Sequence, residues 1–452
     1  MKPFAVRRVV AALLCLTLLT LLTVGLSGCG KKDKTLTVRY LNFKPEIADE
    51  YEELARLYEQ KTGVKVVVQT AANNTYEQTL AAKMSTGEAP TLFQINGPRG
   101  YAAWKDYCAD LKDTELYKHL TDKALAVTDG DKVVGIPYVV EGYGILYNKA
   151  LTDKYFALPD RSTDLTSMAE VNTHAELKAV VEDMQARKAQ LGIDGVFAST
   201  SMKAGEDWRW QTHLLNIPLH YEWEEGKVDY TDDTALAEIQ FTHSDKYRNL
   251  YDLYLNNSVT DRKLIGSKTV SDSMAEFALE KCVMVQNGNW AWSQIKDVSG
   301  NKVKAENLGY LPLYIGAEGE ETQGLTIGTE NYYAINKNAA AEEQKAAADF
   351  IWWLYSSEEG KKYVTDKLGF IAPFDTFTAE ETPDDPLARE VARWMAREDV
   401  DTVPWRFTLF PSSRFKEDFG ASLLKYAQGN KDWEDVVRDL RESWKQEASS
   451  MG

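Results

Sequence analysis

One side chain whose type could do ligand chemistry is Trp290, which follows the turn Asn287-Gly288-Asn289 after the β-rich run Cys282–Gln286. An indole sheds water against the C–H face of a sugar ring, while the sugar hydroxyls stay free to hydrogen-bond at the rim. Amide groups at the start of the following helix add donors for an acceptor oxygen. Trp292, two residues on, faces elsewhere on that helix and suits either the site or the core. The 12 Trp and 23 Tyr supply many flat side chains with a single polar atom, which suit a core and also suit stacking against sugar rings. Covalent chemistry has no comparable signal. The sequence holds no His-Glu-x-x-His zinc signature, no Gly-x-x-x-x-Gly-Lys phosphate loop and no Gly-x-Ser-x-Gly nucleophile elbow. Its five histidines (His119, His174, His213, His220 and His243) are scattered without ligand spacing. Acidic residues are abundant enough for a glycosidase pair, yet nothing marks two of them out.

The elements that must carry these residues follow from periodicity. Thr35–Leu41 is β-rich, Ile47, Tyr51, Leu54, Ala55 and Tyr58 recur at helical spacing, and Gly63 stops that helix. A strand over Val64–Gln69, a helix over Thr75–Ser85 and a strand over Thr91–Ile95 come next. Strands alternating with helices at this spacing predict a parallel α/β sheet. Further on, Tyr143–Tyr147 and Tyr332–Ile335 read as strands, and Ala175–Leu191 and Ala339–Tyr355 as helices. Trp433, Val436, Val437, Leu440 and Trp444 form one apolar helical stripe, the mark of a packing face.

A chain of 452 residues exceeds one hydrophobic core and suits two or three domains. Hydrophobic content of 44% and charged content of 27% are ordinary for a globular protein. The net charge of −17 would repel phosphate backbones, so no nucleic-acid partner is expected. Cys108 and Cys282 sit in apolar contexts far apart and read as buried thiols rather than a bridge. At the N-terminus, Lys2, Arg7 and Arg8 precede an apolar run from Val9 to Val24. That run is shorter than the ~20 residues of a spanning helix and reads as a secretory signal. It closes on Leu26-Ser27-Gly28-Cys29, which resembles the lipobox of bacterial lipoproteins. The resemblance implies a signal peptide over 1–28, lipidation of Cys29 and a polar tether over 29–34. The mature chain is then expected on the extracytoplasmic face of the cell membrane, held by its lipid.

Two segments carry a second resemblance. Met284-Val285-Gln286-Asn287-Gly288-Asn289-Trp290-Ala291-Trp292-Ser293 is similar to the ligand turn of maltose-type sugar-binding proteins. These are extracellular solute-binding proteins serving carbohydrate ABC importers. Gly135-Ile136-Pro137-Tyr138-Val139-Val140-Glu141-Gly142-Tyr143-Gly144-Ile145-Leu146-Tyr147-Asn148-Lys149 is similar to the family's first passage between lobes. The resemblance implies a ring-stacking role for Trp290 and places Glu141 beside the ligand. There its carboxylate would accept hydrogen bonds from sugar hydroxyls. Tyr138 and Tyr143 are weaker candidates on that strip. By the same resemblance Asn96 and Arg99 would supply polar contacts, Trp208 or Trp210 a second stacking platform, and Asn331 and Tyr332 the second passage.

The implied architecture is α/β and two-lobed, of the type II periplasmic-binding-protein kind, with a ligand cleft between the lobes. The first lobe would combine 35–140 with 332–372, and the second 141–331 with 373–452. About three crossings, near 139–143, 328–333 and 371–376, would join them. The implied function is capture of an oligosaccharide by hinge closure and its delivery to the permease of an ABC importer. No cofactor, no metal and no catalysis are expected, and the protein is expected to be a monomer. The rival readings are a secreted lipoprotein glycosidase and a receptor for a non-sugar solute.

Overall fold

The computed structural model describes residues 36–71, 73–230, 234–378 and 380–449. The expected signal, tether and lipid site at Cys29 lie outside these residues. Two mixed sheets organise the rest into two lobes. The first sheet contains β1 (Thr37–Asn42), β2 (Lys65–Thr70), β3 (Leu92–Asn96), β4 (Val127–Asp129), β5 (Lys132–Pro137) and β10 (Asn331–Ile335). Their spatial order is β2-β1-β3-β10-β5-β4. The second contains β6 (Glu141–Asn148), β7 (Met284–Gly288), β8 (Leu308–Leu311), β9 (Gln323–Gly328) and β11 (Asp401–Pro404). Here the order is β11-β9-β6-β7, with β8 also paired to β6.

The expected parallel sheet exists only in part. β1 runs parallel to β2 and β3, but β10 is antiparallel to both β3 and β5. The reason is connectivity: β10 re-enters the first lobe from the second, so it arrives from the opposite end. β6 is antiparallel to β7, β8 and β9, and among the second sheet's pairs only β9 and β11 run parallel.

Local sequence accounts for the helices around the first sheet. Ala48–Thr62 buries Tyr51, Leu54, Ala55 and Tyr58, and ends at Gly63 in the left-handed region (φ 75°), whose N–H donates to Glu59 O. That is the stop a glycine provides without a Cβ penalty. This helix and Ala341–Ser356 cover one face of the sheet, and Asn73–Met84 covers the other. The helix expected over 175–191 is two helices, His174–Ala186 and Lys188–Leu191, broken at Arg187. Arg187 leaves helical geometry there, and its side chain pairs with Asp183 and Asp160. In the second lobe, Trp433, Val436, Leu440 and Trp444 of helix Trp433–Ser449 are buried, while Val437 packs at the edge. Cys108 and Cys282 are buried free thiols, and burial pushes the Cys108 thiol up to about 12.

Three passages of chain join the lobes, and they lie side by side. The first runs from Pro137 to Glu141 and the second from Gly328 to Asn331. Thr329 Oγ1 donates to Val139 O at 2.9 Å, which ties the second to the first. Val140 N donates to Ile371 O at 2.8 Å, which ties the first to the third. Just beyond Ile371, Phe374 and Phe377 pack against the first lobe's core.

Candidate functional site

The turn after β7 is built to present one indole. Gly288 ends the strand, and a Cβ added there would stand 2.1 Å from Trp290 Cζ3, so the ring lies directly over the glycine. Asn289 clasps the start of β6: its Oδ1 accepts from Gly142 N at 2.9 Å and its N–H donates to Gly142 O at 3.1 Å. The half-buried Trp290 ring stands 6.0 Å from Tyr143, 6.0 Å from Trp208 and 6.4 Å from Trp405. His213 completes this aromatic basin, 4.1 Å from Tyr143 and 4.6 Å from Phe407. Burial, aided by the Arg209 charge, holds the His213 imidazole well below its ordinary range. The basin is therefore neutral at physiological pH.

A charged strip adjoins it. Lys44 follows β1, and its Nζ lies 2.6 Å from Glu141 Oε1, 3.7 Å from Glu46 Oε1 and 5.4 Å from the Trp290 ring centroid. The pair is deeply placed, with Lys44 7% and Glu141 3% exposed. Burial alone would lower the Lys44 ammonium; the Glu141 and Glu46 carboxylates outweigh it and hold the group above its ordinary range. Burial pushes the Glu141 and Glu46 carboxyls up, against the pull of Lys44. At the second passage Glu330 accepts from Asn96 Nδ2 at 2.9 Å. Burial raises its carboxyl as well, opposed by Lys416 and Lys44. Lys416 belongs to helix Ser413–Ala427 of the second lobe, and burial lowers its ammonium. Lys44, Glu46, Glu141, Trp290, Trp292 and Asp385 help line a cavity of about 140 Å³ between the lobes. Typical clefts for small ligands measure roughly 300–1,000 Å³, so an oligosaccharide would need the lobes to part.

The structure brings together Trp290, Glu141 and Trp208, with Trp292 on the cavity wall. Asn96 reaches the same strip through Glu330. Arg99 lies on the helix Gly97–Trp104 that follows β3, and its Nε donates to Leu409 O of the second lobe at 3.4 Å. Beside it the first lobe touches the second so closely that a Cβ on Gly97 would come within 2.9 Å of Thr408 Cβ. Asn331 and Tyr332 open β10, with Asn331 buried and the Tyr332 hydroxyl donating to Thr329 O at 3.4 Å.

Three candidates face inward instead, and the first is Tyr143, 0% exposed in the second lobe's core beneath Trp208 and Trp290. Tyr138 is 0% exposed and packs on Tyr333 and Phe370 in the first lobe's core. Trp210 is 1% exposed, lies edge-on to Tyr251 and Tyr254, and donates its indole N–H to Thr200 O. Trp208 precedes the π-helical turn Arg209–Leu214 and Trp210 lies within it; side chains two apart on a helix point to opposite sides, so Trp208 reaches the basin and Trp210 the core. Sequence reasoning missed Lys44, Glu330, Trp405 and His213. The signal available for Lys44 was its place just past a strand's carboxyl end, where ligands of α/β sheets gather.

Asp207, next to Trp208, is buried, and its Oδ1 accepts from Gln211 Nε2 at 2.7 Å. It forms no ion pair among the described residues. Burial pushes its carboxyl from 3.8 up to about 6. The folded chain therefore binds this proton more tightly than the unfolded chain. This contribution to stability is full below about pH 4 and is lost as pH rises through about 6, worth about 3 kcal/mol. Asp207→Asn should raise stability at pH 7 and flatten the decline between about pH 4 and 6 in urea unfolding. A variant that keeps the wild-type slope would place the titration elsewhere.

Among the described residues, no helix is long and apolar enough to cross a membrane, and no group of three His, Cys, Asp or Glu is placed to hold a metal ion. A family model described as bacterial extracellular solute-binding protein matches residues 53–390. In fold the chain is similar to the solute-binding protein RafE in complex with raffinose. The two are 19% identical, with 92% of this chain and 100% of that chain covered and a TM-score of 0.68. It is likewise similar to a sugar transporter of Bacillus licheniformis in complex with stachyose (17% identity, 91% and 100% covered, TM-score 0.65). Maltose-bound MalE3 of T. maritima matches at 19% identity, with 91% and 99% covered and a TM-score of 0.64.

Proposed function

Because the chain belongs to the bacterial extracellular solute-binding proteins, we propose that it captures an oligosaccharide outside the membrane and hands it to an ABC-type importer. One observation carries the reading: a partly exposed indole stands 5.4 Å from a buried ammonium that is paired to a carboxylate, where the passages between the lobes meet. That combination matches a sugar, which offers an apolar C–H face to Trp290 and hydroxyls to Glu141 and Lys44. Trp208 extends the apolar floor, and Asn96 and Glu330 extend the polar edge. Proteins of similar fold that hold raffinose, stachyose and maltose support the choice of ligand class.

In this reading the sugar binds between the lobes and favours the form in which they meet. The permease then recognises the loaded shape, the ligand passes on unchanged, and the protein works as a monomer tethered through a lipid on Cys29. A thermal-shift screen over malto-, xylo-, fructo- and galacto-oligosaccharides tests it. A ligand at 100 times its Kd should add about 2.7 kcal/mol of stability. Stabilisation by amino acids or peptides, with none from any glycan, would assign a non-sugar solute. New reducing ends in the mixture would reveal a hydrolase.

A further inference from the structure

Behind the aromatic basin, inside the second lobe, stands a guanidinium without an acid to answer it. Arg209 is 2% exposed. Its Nε donates to Gln286 O at 2.7 Å, and its Cζ lies 4.7 Å from the Trp208 ring centroid. Nη1 and Nη2 have no hydrogen-bond partner among the described residues. No carboxylate there forms an ion pair with it, and Glu206, whose charge it feels, accepts from Val270 N at 3.1 Å. An arginine keeps its proton at any ordinary pH, and a lone buried cation is strongly destabilising unless opposite charge is supplied. Stacking on Trp208 supplies only part of that.

The groups around it carry no negative charge, and each can donate a hydrogen bond. The hydroxyls of Tyr143 and Tyr254 and the side-chain amide of Gln286 are buried and equally without partners among the described residues. Tyr143 lies opposite Gly288 and Ile145 opposite Gln286 in the β6–β7 pair, so Tyr143 and Gln286 share one face of the sheet. Arg209 and both phenols are close enough to influence one another's ionisation, and burial keeps the phenols protonated. Neither phenol can then serve as the counter-charge. Water could meet their hydrogen-bonding needs, but it would leave the positive charge unbalanced.

We propose that Arg209 Nη1 and Nη2, with the Tyr143 and Tyr254 hydroxyls and the Gln286 amide, bind a small monovalent anion of chloride size. The site is distinct from the carbohydrate cleft and backs onto it. The anion braces Trp208 and β7, the strand that delivers Trp290.

Crystals of the protein grown in sodium bromide provide the direct test. An anomalous peak within hydrogen-bonding reach of Arg209 Nη1 or Nη2 is expected; ordered waters alone at that position overturn the proposal. In solution, replacing chloride by gluconate at constant ionic strength should lower the melting temperature, and bromide should restore it. An identical melting temperature in both salts also overturns the proposal. Arg209→Met should abolish the halide response, and a response that persists in full assigns the anion to another place. If that variant does not fold, the bromide peak in the unaltered protein still decides. None of these readouts needs a sugar, so failure of the anion site and failure of the carbohydrate reading are separable.

Discussion

Replacing Trp290 with alanine is expected to weaken oligosaccharide binding by about 5- to 150-fold. The estimate corresponds to roughly 1–3 kcal/mol for one stacked ring. The stability loss should be smaller than for a fully buried indole, because the ring is partly exposed and lies on a glycine at the edge of the second lobe's core. A second variant separates stacking from mere volume. Gly288→Val keeps the indole but drives a side chain into the plane it occupies, since even a Cβ would sit 2.1 Å from the ring. It should lose affinity to a similar degree. Calorimetry on both variants decides, and wild-type affinity in Trp290→Ala would remove this residue from the site.

The second large effect concerns the Lys44–Glu141 pair. Removing one partner of a buried ion pair strands the other charge and costs about 3–5 kcal/mol. Glu141→Ala should therefore lower unfolding stability by that order, because Lys44 is left buried near the Trp290 ring with only Glu46, 3.7 Å away, as a close partner. Lys44→Met combined with Glu141→Gln replaces both charges with groups of similar shape and should recover most of the loss. The double variant should still bind sugar poorly, because the charged donor and acceptor are gone. This split is the informative result: stability returns and affinity does not. Urea unfolding and calorimetry measure the two separately. If Glu141→Ala costs less than about 1 kcal/mol, the pair is open to water in solution and the carboxylate is free for ligand.

How far the sequence leads depends on how local the cause is. The helix Ala48–Thr62 was readable because its four buried residues repeat on one face and Gly63 ends it. Trp290 was readable because its turn is a contiguous motif. Lys44 was not, since its significance comes from Glu141, 97 positions away, and no local pattern records that pairing. Trp208 and Trp210 show the limit most clearly. Two apart on one helical stretch, they must point to opposite sides, and only the packing of the lobe decides which meets Trp290 and which the core. Strand direction failed for a related reason. Periodicity identifies β10 as a strand but not the lobe from which it arrives.

The side-by-side passages at Val139–Val140, Thr329 and Ile371 carry a mechanical consequence. When two bodies turn about a common line, each atom travels in proportion to its distance from that line. Glu141 follows Val140 directly and Lys44 is bonded to it, so both sit near the pivot and would scarcely move. Contacts that cross between the lobes away from the passages, such as Arg99 to Leu409, would travel farther. A visiting sugar would then meet a finished polar anchor in the open protein, and only the outer contacts would be assembled by its arrival. Those outer contacts, not the anchor, are the place to put a pair of fluorophores.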